Sequence, residues 1–162
     1  MKKNILGLSF IFILFTFLSM SCAQAKDKEI NSQAAPDFRL QDIHKNYYTL
    51  SSYREKKPVL LFFWTTWCPH CRRQLRVIND KYPELFKKGW ELLSIDVGES
   101  PEKVDRFLRN YSLSYKTLFD LDTRVAESYD ILGVPAYILI NKEGEIVFRG
   151  NYFPQDRLKE MM

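Results

Sequence analysis

The run KPVLLFFWTTWCPHC, Lys57 to Cys71, ends an apolar segment in two cysteines three residues apart. Lys57 to Trp64 is almost wholly apolar, the pattern of a strand covered on both faces. Pro69 suits the first turn of a helix, where its missing N–H has no partner to lose. A strand ending near Trp64 and a helix starting at Pro69 put Cys68 at the helix N-cap and Cys71 on the same face. The positive end of the helix dipole and the free N–H groups of the first turn then favour a thiolate on Cys68, in a class of site whose apparent pKa values run from roughly 3.5 to 7.5. This order makes Cys68 the nucleophile and Cys71, one turn further in, the resolving thiol. A pair at this spacing can also hold a metal or close a structural clip, and the rest of the chain has to choose.

The chain has 162 residues, 46% hydrophobic and 15% aromatic, enough for one domain with a core. Its net charge of +4 owes two units to Lys2 and Lys3 and is no nucleic-acid signature. Residues 1–25 read as an export signal: Lys2 and Lys3, an apolar run from Ile5 to Met20, then small residues around Cys22. A helix over that run reaches about 24 Å, short of the ~30 Å hydrocarbon core, so it is expected to be a signal rather than a membrane span. LSMSC resembles a bacterial lipobox that would lipidate Cys22, with Ser19 where an aliphatic residue is usual; AQA, Ala23 to Ala25, offers an ordinary cleavage site instead. Lipidation at Cys22 is the preferred expectation, with the domain held at the extracytoplasmic face of the cell envelope. With Cys22 so used or removed, two thiols remain in an oxidising compartment, too close in sequence to staple distant parts of a fold.

Residues 26–35 are polar and aperiodic and read as a flexible tether; residues 36–162 form the domain. Strand patterns run from Phe38 to Gln41, Tyr47 to Leu50, Lys57 to Trp64 and Trp90 to Val97, with two more flanking a turn at Asn141 to Gly144. Helical spacing covers Pro69 to Phe86, with Pro83 as a bend or end. Ser100 caps a second helix begun by Pro101, Asp122 caps a short third one through Tyr129, and PQDRLKEMM closes the chain as a fourth. The order β-β-β-α-β-α-α-β-β-α predicts a three-layer α/β/α domain around a mixed sheet.

Trp67-Cys68-Pro69-His70-Cys71 after an apolar strand, with Gly133-Val134-Pro135 before a late one, resembles the thioredoxin superfamily. More narrowly, AAPDFRLQDI and YTLSSYREKKPVLLFFWTTWCPHC resemble the exported TlpA/ResA-like thiol-disulfide oxidoreductases, a likeness that runs from about Ala35 to Gln155. The resemblance implies a thioredoxin-like fold with an extra N-terminal β-hairpin, and an enzyme of the protein-disulfide reductase type. It implies that Pro135 is a cis proline lying against the cysteine pair, with Val134 and Trp67 meeting the substrate. It implies partners of two kinds: client proteins with thiols or disulfides, apocytochrome c among them through cytochrome c maturation, and a membrane or exported dithiol electron donor. No metal, flavin or nucleotide is called for beyond the redox-active disulfide Cys68–Cys71. Pro69 and His70 are the redox-tuning pair; the histidine can donate toward a Cys68 thiolate and make the disulfide more oxidising.

Two positions depart from the pattern. Thioredoxins carry a buried acid six residues before the first cysteine, here Phe62, and several ResA-like proteins carry a Glu three residues after the second, here Gln74. No buried carboxylate stands out to take the Cys71 proton; Asp96 and Glu99 follow a strand and could influence the site, with surface solvation the preferred reading. Arg72, Arg73 and Arg76 make a basic helix face that meets water or steers an acidic partner. Trp64 is assigned to the core; His44 lies in a polar turn, and one cysteine pair with one distant histidine leaves zinc short of ligands. Two rivals stay open. Thr65, three residues before Cys68, matches part of a peroxiredoxin loop whose proline position holds Leu61, and the thiols alone would suit a copper(I)-binding or scaffold module.

Overall fold

The computed structural model describes residues 33–161; the export segment, Cys22 and most of the expected tether lie outside them. In chain order the elements are β1 (Gln33–Ala34), β2 (Arg39–Asp42), β3 (Tyr47–Thr49), a 3-10 turn (Leu50–Tyr53), β4 (Val59–Trp64), α1 (Pro69–Lys87), β5 (Glu91–Val97), α2 (Pro101–Leu108), β6 (Lys116–Asp120), α3 (Arg124–Ser128), β7 (Ala136–Ile140), β8 (Glu145–Gly150) and α4 (Gln155–Glu160). The eight strands form one sheet in the order β1-β8-β7-β4-β5-β6-β2-β3. β4, β5 and β6 run parallel, joined by helical crossovers, and the remaining pairs are antiparallel. This is the expected mixed-sheet α/β/α architecture, and the N-terminal hairpin β2–β3 extends the sheet beyond β6.

β4 is central because each of its six residues is buried. Alternation sends Leu60, Phe62 and Trp64 to one face, against Cys71, Leu75 and Ile78 of α1, Val104 of α2 and Leu158 of α4. Val59, Leu61 and Phe63 face the other way, against Leu50 and against Val125 and Ala126 of α3. A strand so placed needs no polar face, which is why its sequence shows no alternation.

Three expectations change. The end of the tether is part of the sheet, since Gln33 and Ala34 pair with Ile146 and Glu145; a two-residue edge strand held by its backbone leaves no apolar signature. β6, unforeseen between α2 and α3, pairs in parallel with β5, and its charged ends have structural work: Lys116 bonds Glu91, while the buried Asp120 carboxylate accepts N–H bonds from Val125 (3.2 Å) and Ala126 (2.8 Å). Asp120 therefore anchors the first turn of α3, the role expected of Asp122, which bonds Arg124 through its N–H at 3.4 Å and its guanidinium at 3.0 Å. Finally, α1 continues through Pro83. Tyr82 and Leu85 bury on either side of it, and that packing outweighs the ~3 kcal/mol an interior proline costs.

The carboxyl ends of β4 and β5 and the start of α1 meet at one end of the sheet, the crevice position where open α/β sheets place their sites.

Candidate active site

Cys68 is the N-cap of α1 in extended conformation, and its Sγ accepts the Cys71 N–H at 3.1 Å. The two cysteines are disulfide-bonded, with Cα atoms 5.2 Å apart, a separation that needs no backbone distortion. Cys68 is 4% exposed and Cys71 not at all. Access therefore favours Cys68 as the sulfur attacked or attacking, and the same first-turn N–H group that bonds its Sγ would stabilise a thiolate there. Val134–Pro135 is a cis peptide, as the resemblance implied, and the Val134 carbonyl oxygen lies 3.6 Å from Cys68 Sγ.

The expected surface residues sort differently. Trp67, next to Cys68 in the chain, is 64% exposed, while Trp64 is fully buried. A groove runs past His70, Gln74, Leu132 and Pro135, and the Leu132 side chain stands fully in solvent at its edge. The His70 Nδ1 lies 2.7 Å from the Arg73 guanidinium, which has only protons to give, so Nδ1 accepts. Pro69 takes the first helical position as expected. Arg72 and Arg76 do more than meet water. The Arg72 Nε donates to the Thr66 carbonyl at 2.8 Å with its guanidinium over Phe107, and Arg76 lies over Tyr111.

Phe62 and Gln74, which occupy the two acid positions, are joined by one residue. The Tyr137 ring stacks on Phe62 with centroids 4.9 Å apart, and its hydroxyl donates to Gln74 Oε1 at 2.9 Å. Burial pushes the Tyr137 hydroxyl well above its ordinary value, so it stays a neutral donor.

The carboxylates have moved to the neighbouring strand. Contrary to the solvated reading, Asp96 is 0% and Glu99 7% exposed. Asp96, one residue before the end of β5, lies opposite Trp64 on the strand face shared with Leu92 and Ser94, and Leu92 packs in the cluster that contains both cysteines. Gly98, at φ +73°, turns the chain so that Glu99 comes back under the loop before Cys68; a side chain there would be strained and would press on Thr123. Glu99 accepts from the Thr66 N–H and, at 2.8 Å, from Thr66 Oγ1, and it pairs with Lys103. Burial alone would raise the Glu99 carboxyl, but Lys103 and Thr66 outweigh it and hold the group below its ordinary value. Asp96 has no such help. Burial, with the Glu99 carboxylate acting on it, pushes Asp96 up to about 8, and neither of its oxygens has a well-formed hydrogen bond. The sequence admitted an influence of this pair on the site but favoured solvation, because acidic residues after a strand usually meet solvent. The one available signal was the glycine that folds Glu99 back.

The AhpC/TSA family model matches residues 32–149. The thiol-disulfide oxidoreductase ResA of Geobacillus kaustophilus is 38% identical over 69% of this chain and 64% of its own length. The chain thus spans less than two thirds of that relative. ResA of Halalkalibacterium halodurans is 33% identical over 91% of this chain and 82% of its own length. The thioredoxin domain of a thiol-disulfide oxidoreductase from Bacteroides vulgatus, 24% identical, shares the fold at a TM-score of 0.69, covering 79% of this chain and 92% of that one. With a family match across most of its length and a disulfide at the expected helix start, the chain belongs to the AhpC/TSA family, among its ResA-like members.

Proposed function

We propose that this chain is an extracytoplasmic thiol-disulfide oxidoreductase that reduces disulfides in client proteins. The observation that carries the reading is the asymmetry of one disulfide: Cys68 caps α1 with its Sγ 3.6 Å from the carbonyl of Val134, which lines the groove, and Cys71 is fully buried. In the reduced protein the Cys68 thiolate attacks a client disulfide, one client sulfur leaves, and a mixed disulfide forms. Cys71 then loses its proton and attacks Cys68 Sγ, so the second client sulfur departs and the internal disulfide closes. Two electrons pass to the client with no flavin, nucleotide or metal. A dithiol donor restores the pair. Trp67, Val134 and Leu132 supply the docking edge, and clients of the apocytochrome c kind fit because a solvent-exposed groove admits an extended cysteine-bearing segment. The export signal and Cys22 supply the location, a lipid-tethered domain at the cell envelope.

The test is turnover of a protein disulfide. The reduced protein should reduce insulin in stoichiometric single-turnover mixtures and catalytically with dithiothreitol, while hydrogen peroxide consumption stays at the level of the uncatalysed thiol. Rapid peroxide turnover without insulin reduction would establish the peroxidase reading instead.

A further inference from the structure

Unpartnered buried polar groups gather where β4 and β5 end: Trp64 Nε1, Thr65 Oγ1 and both carboxyl oxygens of Asp96 have no hydrogen-bond partner among the described residues. Trp64 and Asp96 are register partners, and Thr65 follows Trp64 on the way to Cys68. A carboxylate held there with no well-formed hydrogen bond, the Glu99 backbone N–H giving only partial relief, is expensive, whereas a neutral acid is not. The charged groups that act on Asp96 are Glu99 in the loop after β5 and Lys103 on α2; α1 contributes Arg72, whose Nε is committed to the Thr66 carbonyl. Nothing positive neutralises Asp96 directly, because Lys103 and both Thr66 donors are spent on Glu99.

We propose that Asp96 is a positioning residue for disulfide exchange whose protonation is coupled to the redox state of Cys68–Cys71 through the shared core. It rests on the proposed oxidoreductase function. When a donor dithiol reduces the protein, it gives two electrons and becomes a disulfide. The Cys68–Cys71 bond breaks, Cys71 keeps one donor proton as a thiol, and Cys68 is left as a thiolate. The second proton goes to solvent while Asp96 is already neutral, and to the Asp96 carboxylate where it is not. A negative Cys68 favours the neutral acid at Asp96, and by reciprocity a neutral Asp96 favours the thiolate. Reduction at alkaline pH therefore takes up one proton more than the cysteines alone account for.

The experiment is the equilibrium with glutathione measured from pH 6 to 10 for wild type, Asp96→Asn and Glu99→Gln, with circular dichroism to establish that each is folded. Wild type should show an interval above pH 8 in which its equilibrium constant changes up to tenfold more per pH unit than that of Asp96→Asn, or about 30 mV per unit. Below pH 7 the two curves should run parallel. Glu99→Gln, which removes the neighbouring carboxylate but keeps an acceptor for Thr66, should move the steep interval to lower pH. Parallel wild-type and Asp96→Asn curves over the whole range, or an interval that Glu99→Gln leaves in place, would overturn the coupling while leaving the oxidoreductase function standing. A wild-type protein that does not equilibrate with glutathione at all would overturn the function itself.

Discussion

Replacing Asp96 by asparagine exchanges a carboxyl that the fold keeps neutral for an amide of nearly the same shape that never ionises. The folded group titrates at about 8 against an ordinary 3.8, the reverse of the usual buried aspartate in an ion pair. The sign follows from proton counting. Between those two values the unfolded chain has lost this proton and the folded chain has kept it, so wild-type stability falls as pH rises from about 4 and levels off above about 8. Holding the proton at pH 7 costs the fold at most about 4 kcal/mol, at 1.36 kcal/mol per unit, and water penetration reduces that to on the order of 2 kcal/mol. Asp96→Asn escapes this loss. Urea unfolding of the oxidised proteins at pH 4.5 and 7.5 should show the variant gaining on wild type by about 2–4 kcal/mol across that interval, whatever its absolute stability at either pH. Parallel pH dependences for the two proteins would refute the claim that Asp96 is held neutral.

Glu99→Ala removes the acceptor for both Thr66 donors and should cost roughly 2–4 kcal/mol in urea unfolding, with faster backbone amide exchange at Thr66. Trp67→Ala should leave stability within about 0.5 kcal/mol, because the side chain is mostly in solvent, yet slow insulin reduction several-fold by removing the aromatic edge of the docking surface. Tyr137→Phe keeps the stack on Phe62 and loses only the bond to Gln74, so it should cost about 1 kcal/mol in thermal or urea unfolding without changing the reduction rate.

The sheet was legible wherever burial is two-sided. β4 is an unbroken apolar run and β5 carries Leu92, Leu93, Ile95 and Val97, and the caps at Cys68 and Ser100 follow from a proline at the next position. β1 and β6 were not legible, because one contributes two exposed residues and the other has charged ends whose partners, Glu91 and α3, are distant in sequence or beyond the strand. At the site, the cysteine roles followed from a local rule, helix start and spacing. Trp67 was expected to meet the substrate, and the fold leaves its side chain largely in solvent next to Cys68. Asp96 and Glu99 needed three dimensions: their burial depends on α2 covering β5 and on a glycine turn that returns Glu99 to Thr66. His70 was read against Cys68 alone, and the fold gives its Nδ1 a further neighbour one helical turn on, Arg73.

The central claim is that Cys68 exchanges electrons with client disulfides and Cys71 resolves the intermediate, and mixed-disulfide trapping tests it most directly. Cys71→Ser, incubated with an oxidised protein substrate and resolved on non-reducing gels, should accumulate a covalent complex that dithiothreitol releases, whereas Cys68→Ser should trap almost none. Equal trapping by the two variants, or a complex formed chiefly through Cys71, would contradict the account.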